Sequence, residues 1–259
     1  MGHFANLYHY RDLLWLWTGR EIRVRYKQSA LGAAWAIIQP LTLTIIFTLV
    51  FSQLIQVDTG GIPYPVFAYA ALGPWTFFAT SLAFGIPSLV NNLNLVGKIY
   101  FPREILPLAS IGAALLDFAI AEVVFVGMMI IYQIPLTLNV LWVIPLLLIQ
   151  IILTVGVTLI GAALIVFFRD VRFVVPLLTQ IWMYASPVIY PSTMIPERWQ
   201  TLYFLNPMAG IIAGYRSIFL LGEAPNLPAL LLATIVSAAL LLIGYATFKR
   251  SEPLFADLI

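Results

Sequence analysis

The sequence predicts an all-α integral membrane protein: six transmembrane helices, an N-terminal amphipathic interface helix, and re-entrant outer helices between spans 5 and 6. Three observations lead there. Hydrophobic residues make up 62% of the chain and charged residues 9%, whereas a soluble domain is nearer half apolar and about a quarter charged. Too few polar side chains remain to cover a 259-residue globule in water. The apolar residues gather into runs long enough to cross a bilayer core, which takes about 20 helical residues for about 30 Å. Nearly all the charges fall in the connections between those runs, with the basic ones gathered in alternate connections and so on one side.

The first thirty residues carry Arg11, Asp12, Arg20, Glu21, Arg23, Arg25 and Lys27. With no uninterrupted apolar core and no small-residue cleavage site, they do not read as a signal peptide. Leu7, Tyr10, Leu14 and Trp17 recur at spacings of three and four, an apolar stripe on one helix face. Such a helix suits the membrane interface; a charged, solvated leader is the competing reading.

Spans are expected near 31–56, 66–87, 107–132, 141–167, 174–190 and 229–248. The stretch 202–221 is apolar enough to suggest a seventh. Charge decides against it: with the N-terminus inside and six spans, the inner segments hold Arg11, Arg20, Arg23, Arg25, Lys27, Lys98, Arg103, Arg169, Arg172, Lys249 and Arg250, leaving only Arg198 and Arg216 of the 13 basic residues outside. A seventh span would move Lys249 and Arg250 outside and set Arg216 in lipid. Asn206-Pro207 also interrupts that stretch. The outer segment 187–228 is rich in proline yet also in Tyr, Trp, Leu and Ile, which fits short re-entrant helices better than a solvated loop. Gly210 and Gly214 form a GxxxG pair suited to close helix approach. The chain reads as one domain over 1–259, with an interface helix in 1–30, the bundle in 31–248 and a cytoplasmic tail in 249–259.

Several functions are excluded by the residues. The chain has no cysteine, so neither disulfides nor thiolate metal sites are available. His3 and His9 both precede the first apolar run, so no histidine metal centre lies in the membrane and no metal site is expected. No basic stripe is long enough for nucleic acid. The Gly97-Lys98 pair is followed by Ile99, and Asn92 stands where a P-loop needs its first glycine. Neither GxSxG nor HExxH occurs. No catalytic residue is assigned, and any ATP and Mg would bind a separate subunit.

Asp117 and Glu122 are the acidic residues deep within a predicted span, where a charge costs roughly 2.5–3.5 kcal/mol on insertion scales. Five residues at about 100° each set them roughly 140° apart around the helix, so they cannot share one cavity squarely. They read either as polar contacts to a neighbouring helix or a dimer partner, or as groups in proton coupling, with no basic residue expected at that depth. The inner loop 91–107 contains Lys98, Tyr100, Phe101, Pro102, Arg103 and Glu104. Its aromatic pair reads as a docking knob for a partner protein or as an interfacial anchor. On the outer side Tyr69, Trp75, Phe78, Trp182, Tyr184 and Tyr190 are belt or core residues, a subset of which would line a path where flat rings stack on sugars.

Three segments carry a resemblance: RVRYKQSALGAAWAIIQPL in the first span, FFRDVRFVVPLLTQIWMYASPVIYP across the fourth-to-fifth junction, and LNPMAGIIAGYRSIFL in the outer segment. In that order and spacing the chain resembles, over essentially its whole length, the permease subunits of bacterial type-2 ABC exporters for O-antigen, capsule and teichoic acid. The resemblance implies a homodimer in the bacterial cytoplasmic membrane, with both termini cytoplasmic. Two copies of an ATP-binding subunit would dock on the inner face. A glycan on a polyprenyl (di)phosphate would pass between the two permeases. It further implies ATPase coupling through Glu21, Arg23, Arg25 and the loop from Lys98 through Tyr100, Phe101, Pro102 and Arg103 to Glu104. Arg20, Arg23, Arg25 and Lys27 would meet the lipid phosphate at the entrance, a role that ordinary anchoring to membrane lipid explains equally. Two other readings stand beside it: an exporter of a drug or simple lipid, and an ion-coupled carrier or intramembrane enzyme built on Asp117 and Glu122.

Overall fold

A computed structural model of the chain describes residues 10–27, 29–92, 95 and 101–255. Among these residues all regular structure is helical. Helix α1 (Arg11–Tyr26) precedes a rod over Gly32–Leu54, whose central part is α2 (Trp35–Phe47). Then come α3 (Tyr64–Gly85), the short α4 (Ser88–Asn91) and α5 (Ile105–Ile131). A tight turn at Leu138–Trp142 leads into α6 (Val143–Phe167). Helices α7 (Val171–Tyr184), α8 (Glu197–Tyr203), α9 (Pro207–Arg216) and α10 (Leu227–Ser251) complete the chain.

Helix starts follow local chemistry. Pro63 and Pro65 bracket the first residue of α3 with preset φ. Asn206 accepts a hydrogen bond from the Met208 N–H to open α9, and Asn226 accepts one from Ala229 to open α10. The turn that continues α9 closes at Gly222, whose φ of +67° places it in the left-handed region.

Among the described residues, five helical segments are long and apolar enough to cross a membrane: Gly32–Leu54, Tyr64–Gly85, Ile105–Ile131, Leu138–Phe167 and Leu227–Leu254. They match five of the six predicted runs to within a few residues. The run predicted over 174–190 is different. Helix α7 has 14 residues, about 21 Å at 1.5 Å per residue, because Ser186 precedes Pro187 and a residue before proline is steered away from helical backbone. The outer segment is a bent pair: α8 meets the α9 segment at 109°, a broken or re-entrant geometry of the kind expected for 187–228. The last helix runs on past residue 248 to Ser251 and a turn at Glu252–Leu254.

Helix α3 is the axis of the bundle. Its Val66, Phe67, Tyr69, Leu72, Trp75, Phe77 and Phe78 are all buried, packed on α5, α6 and α9. Truncating one such ring to Ala would cost about 3–5 kcal/mol. Glycine sets the closest crossings. A Cβ on Gly156 of α6 would come 2.6 Å from the Leu241 nitrogen of α10, one on Gly210 of α9 would come 2.9 Å from the Ala229 carbonyl of α10, and one on Gly214 would meet Leu146 of α6 at 2.7 Å. The GxxxG pair thus serves two different neighbours.

Two ends of the bundle can be told apart. One gathers α1, the C-terminal end of α3, the turn at 101–104 and the end of α10. The other holds the start of α3, the α5–α6 connection and the α8–α9 pair, joined by hydrogen bonds such as Tyr64 to the Ile189 carbonyl and Asn139 to the Gly222 carbonyl.

Candidate functional site

At the first end, α1 lies along the first half of α5 and turns its predicted stripe inward. Tyr10, Leu14 and Trp17 pack on a core containing Leu89, Phe101, Ile105, Phe248 and Phe255; Leu7 lies outside the described residues. Gly112 of α5 makes the approach possible, since a Cβ there would come within 3.0 Å of the Thr18 methyl. The helix ends in a clamp. Arg25 donates to one oxygen of Asp117 and forms an ion pair with it, while the Tyr26 hydroxyl donates to the other oxygen. The Arg25 guanidinium also lies 4.3 Å from the centre of the Phe84 ring. Burial, and next its hydrogen bond to Asp117, push the Tyr26 hydroxyl up to about 12, so it is a proton donor throughout the neutral range.

The clamp corrects the expectation that no cation shares the depth of Asp117. Asp117 lies 12 residues into α5, about 18 Å from its start, but α1 climbs the same distance beside it. Glu122 stays apart, against α3: a Cβ on Gly73 would fall 2.5 Å from its Oε1. Among the described residues it makes no hydrogen bond or ion pair, so the two acids share no site. Beside the clamp a cleft of about 410 Å³ opens between α1, α2, α3 and α5, lined among others by Arg25, Tyr26, Gln39, Thr80 and Asp117.

A second cluster lies under the turn at 101–104. Glu104 is 1% exposed, and the Lys249 ammonium reaches it at 2.7 Å and Glu252 at 2.9 Å. The Arg103 backbone N–H donates to Glu252 at 3.2 Å, and its guanidinium donates to the Glu252 carbonyl. Phe255 packs against Phe248 at 5.3 Å. The C-terminal turn is therefore stapled beneath the inner loop, an arrangement between residues about 150 positions apart that no local pattern signals.

These contacts sort the residues singled out in the sequence. Lys98 and Tyr100 lie outside the described residues. Phe101 is 7% exposed, so it is not one half of an exposed aromatic pair: it fills the space between Leu89 and the C-terminal phenylalanines. Pro102 is half-buried. Arg103 and Glu104 hold the C-terminal turn. Arg20 donates to Asn92 at 3.1 Å and to Glu21 at 3.4 Å, over the Trp17 ring. Arg23 and Lys27 are exposed and have no carboxylate partner among the described residues. Of the four basic residues near the expected entrance, Arg20, Arg23 and Lys27 are exposed and only Arg25 is largely covered.

The six aromatics lie in different surroundings. Tyr69, Trp75 and Phe78 are buried in the bundle, and the Tyr69 hydroxyl donates to the Ala121 carbonyl at 3.1 Å. Trp182 packs on Phe78 at 5.1 Å and donates to Asn206 at 2.7 Å. Tyr190 is half-buried and donates to the Tyr184 carbonyl. Tyr184 is 54% exposed.

Sequence reasoning missed the central feature of the other end. Arg216, named only as an obstacle to a seventh span, is buried. Its Nε donates to the Phe67 carbonyl at 3.2 Å, Nη1 to those of Pro187 (2.5 Å) and Tyr190 (3.1 Å), and Nη2 to that of Val188 at 2.8 Å. The Phe67 ring covers one face at 3.5 Å. A lone arginine in an apolar stretch was the available signal, because such a charge must find partners.

The sequence matches the family described as ABC-2 type transporter over residues 12–220. Among curated relatives, it is 32% identical to the O-antigen export system permease protein RfbA of Klebsiella pneumoniae over 98% of this chain and 97% of that protein. It is 31% identical to the protein of the same name from Myxococcus xanthus, over 98% of each. It is 26% identical to the polysialic acid transport protein KpsM of Escherichia coli, over 90% of this chain and 91% of that one.

Proposed function

This chain belongs to the ABC-2 type transporter family, and on that premise we propose that it is the permease subunit of an ATP-driven exporter of lipid-linked polysaccharide. The observation that carries the reading is the similarity to polysaccharide export permeases over nearly the whole chain. The multi-pass helical bundle agrees with it. In this reading the protein sits in the bacterial cytoplasmic membrane with both termini inside, as the placement of basic residues favours.

Two copies would form the path. No residue of α7 is buried, and Phe173, Leu177, Leu178 and Ile181 are exposed along it; the first rod exposes Trp35, Ile45 and Leu49. A second copy would cover part of this apolar surface and lipid the rest. A separate ATPase would bind MgATP and press on α1 and the inner loop. The clamp gives that push a route, because α1 cannot shift without carrying Asp117 and α5. The polyprenyl (di)phosphate would meet Arg20, Arg23 and Lys27, the exposed cations of this helix, with Arg25 holding the helix that bears them.

The test is to co-express the tagged chain with the ATPase encoded beside its gene, purify in detergent, and compare surface polymer in cells with and without the gene. A stoichiometric ATP-hydrolysing complex and loss of polymer on deletion support the reading. A chain that purifies without the ATPase, from cells whose polymer is unchanged by deletion, overturns it. An ATPase complex whose loss changes only a small lipid or drug phenotype would reassign the cargo.

A further inference from the structure

Arg216 forms part of the wall of a second cavity, of about 470 Å³, at the end of the bundle away from α1. Three segments far apart in sequence build it: the connection 55–63, the stretch 191–204 and the end of α9. A cavity of this size suits a small ligand, and a few placed polar groups on an apolar wall are how such sites choose one.

The lining has a definite chemistry. Asp58 uses one carboxylate oxygen to accept from the Gly60 N–H, leaving the other without a protein donor among the described residues. The Thr193 and Ser217 hydroxyls have no hydrogen-bond partner among the described residues. Gln200 makes one long contact at 3.4 Å through Nε2, and its carbonyl oxygen accepts nothing there. Arg216 commits four of its five N–H groups to carbonyls. Phe204 adds an aromatic ring. The cavity thus offers spare donors and acceptors of both kinds, one negative oxygen and a ring. Its wall is fixed in advance, because the Arg216 clasp ties α9 to Phe67 and to 187–190.

That combination discriminates. An anion would meet Asp58, and a lipid tail would leave the amide, hydroxyls and carboxylate unpaired. A pyranose fits: its hydroxyls each donate and accept, and its C–H face packs on a ring. The geometry points to a sugar-binding subsite on the outer face of each protomer, taking one residue of the emerging polymer. This rests on the export reading for the source of the sugar, while the cavity itself does not depend on it.

The experiment uses the permease–ATPase complex in nanodiscs and saturation-transfer NMR with oligosaccharide fragments released by mild acid from the host's surface polymer. Gln200→Leu, Phe204→Ala and Thr193→Val are compared with the parent, with co-purification yield and basal ATPase as folding controls. The expected result is saturation of sugar protons by the parent complex and a loss of at least fivefold in Gln200→Leu and Phe204→Ala, with a smaller loss in Thr193→Val. Equal transfer in parent and variants, or none in any, overturns the subsite. Binding of an outer-leaflet glycolipid added to the nanodisc, with no binding of free fragments, overturns the assignment to polymer. If one variant does not assemble, the others decide. Deletion that leaves surface polymer unchanged defeats the export reading instead, whatever the NMR shows.

Discussion

The two ends of this bundle solve the same problem, a cation drawn out of solvent, in opposite ways. Near α1, Arg25 and Lys249 meet carboxylates: Asp117 of α5 for the first, and for the second Glu104 across the bundle and Glu252 three residues on. At the far end Arg216 meets four main-chain carbonyls and an aromatic face and, among the described residues, no carboxylate. A carboxylate is a point partner on a side chain, so the Arg25–Asp117 pair ties α1 to α5 and carries one with the other. Carbonyls are fixed by the backbone, so the Arg216 clasp holds only while 187–190 keeps its path. The α1 end is held by side-chain pairs, and the far end by the path of one backbone segment.

Substitutions can break this contrast in graded steps. Arg216→Leu should have the largest effect. Four carbonyls would lose their donor at about 1–3 kcal/mol for each one left buried and unsatisfied, and a thermal melt in detergent should show loss of a folded species. Arg216→Lys should recover little, since an ammonium lacks the planar fork that reaches several acceptors. A wild-type melt for the lysine variant would show that charge alone suffices.

Lys249→Met should come next, at about 3–5 kcal/mol, because it strands the buried Glu104 carboxylate. Adding Glu104→Gln should recover much of that loss, since removing both charges costs less than removing one. If the double variant is worse than Lys249→Met, the pair is not the source of the stability.

Asp117→Asn should leave the bundle folded and loosen α1. Hydrogen exchange in Arg11–Tyr26 should rise, while α3 stays protected, and export should fall more than basal ATPase. The swap Arg25→Asp with Asp117→Arg should restore part of the protection. Unchanged exchange in α1 would remove the clamp from the coupling route. Tyr26→Phe should be mildest, at about 1 kcal/mol for one hydrogen bond. With the Tyr26 hydroxyl pushed up to about 12 from about 10 unfolded, its contribution to docking should hold below pH 10 and fade only as pH approaches 12. Loosening of α1 between pH 7 and 9 would contradict this.

The legible part of the fold was the part set by solvent. Runs such as 107–132 and 229–248 are too apolar for water and long enough for a bilayer, so the helices lie where the sequence puts them. The α1 stripe was legible for the same reason. The fifth run differs at its end: 174–190 is largely apolar, but α7 stops at Tyr184, ahead of Pro187. Among site residues, Asp117 was visible as an anomaly while its partner was not, because Arg25 sits 92 positions away. Phe101 was read by its charged neighbours as exposed, and the C-terminal phenylalanines bury it.

By itself the sequence determined the solvent, the approximate number and limits of the membrane helices, and the end of the bundle at which basic residues gather. These depend on sums over many residues, and burial free energy adds along a chain. Only the tertiary structure decided which charges are committed and which are accessible: Arg25 and Lys249 paired, Arg216 clasped, Arg23 and Lys27 open. Such pairings turn on distances of a few ångströms between segments up to about 150 residues apart, and Coulomb and hydrogen-bond energies depend on those distances, which sequence spacing does not encode.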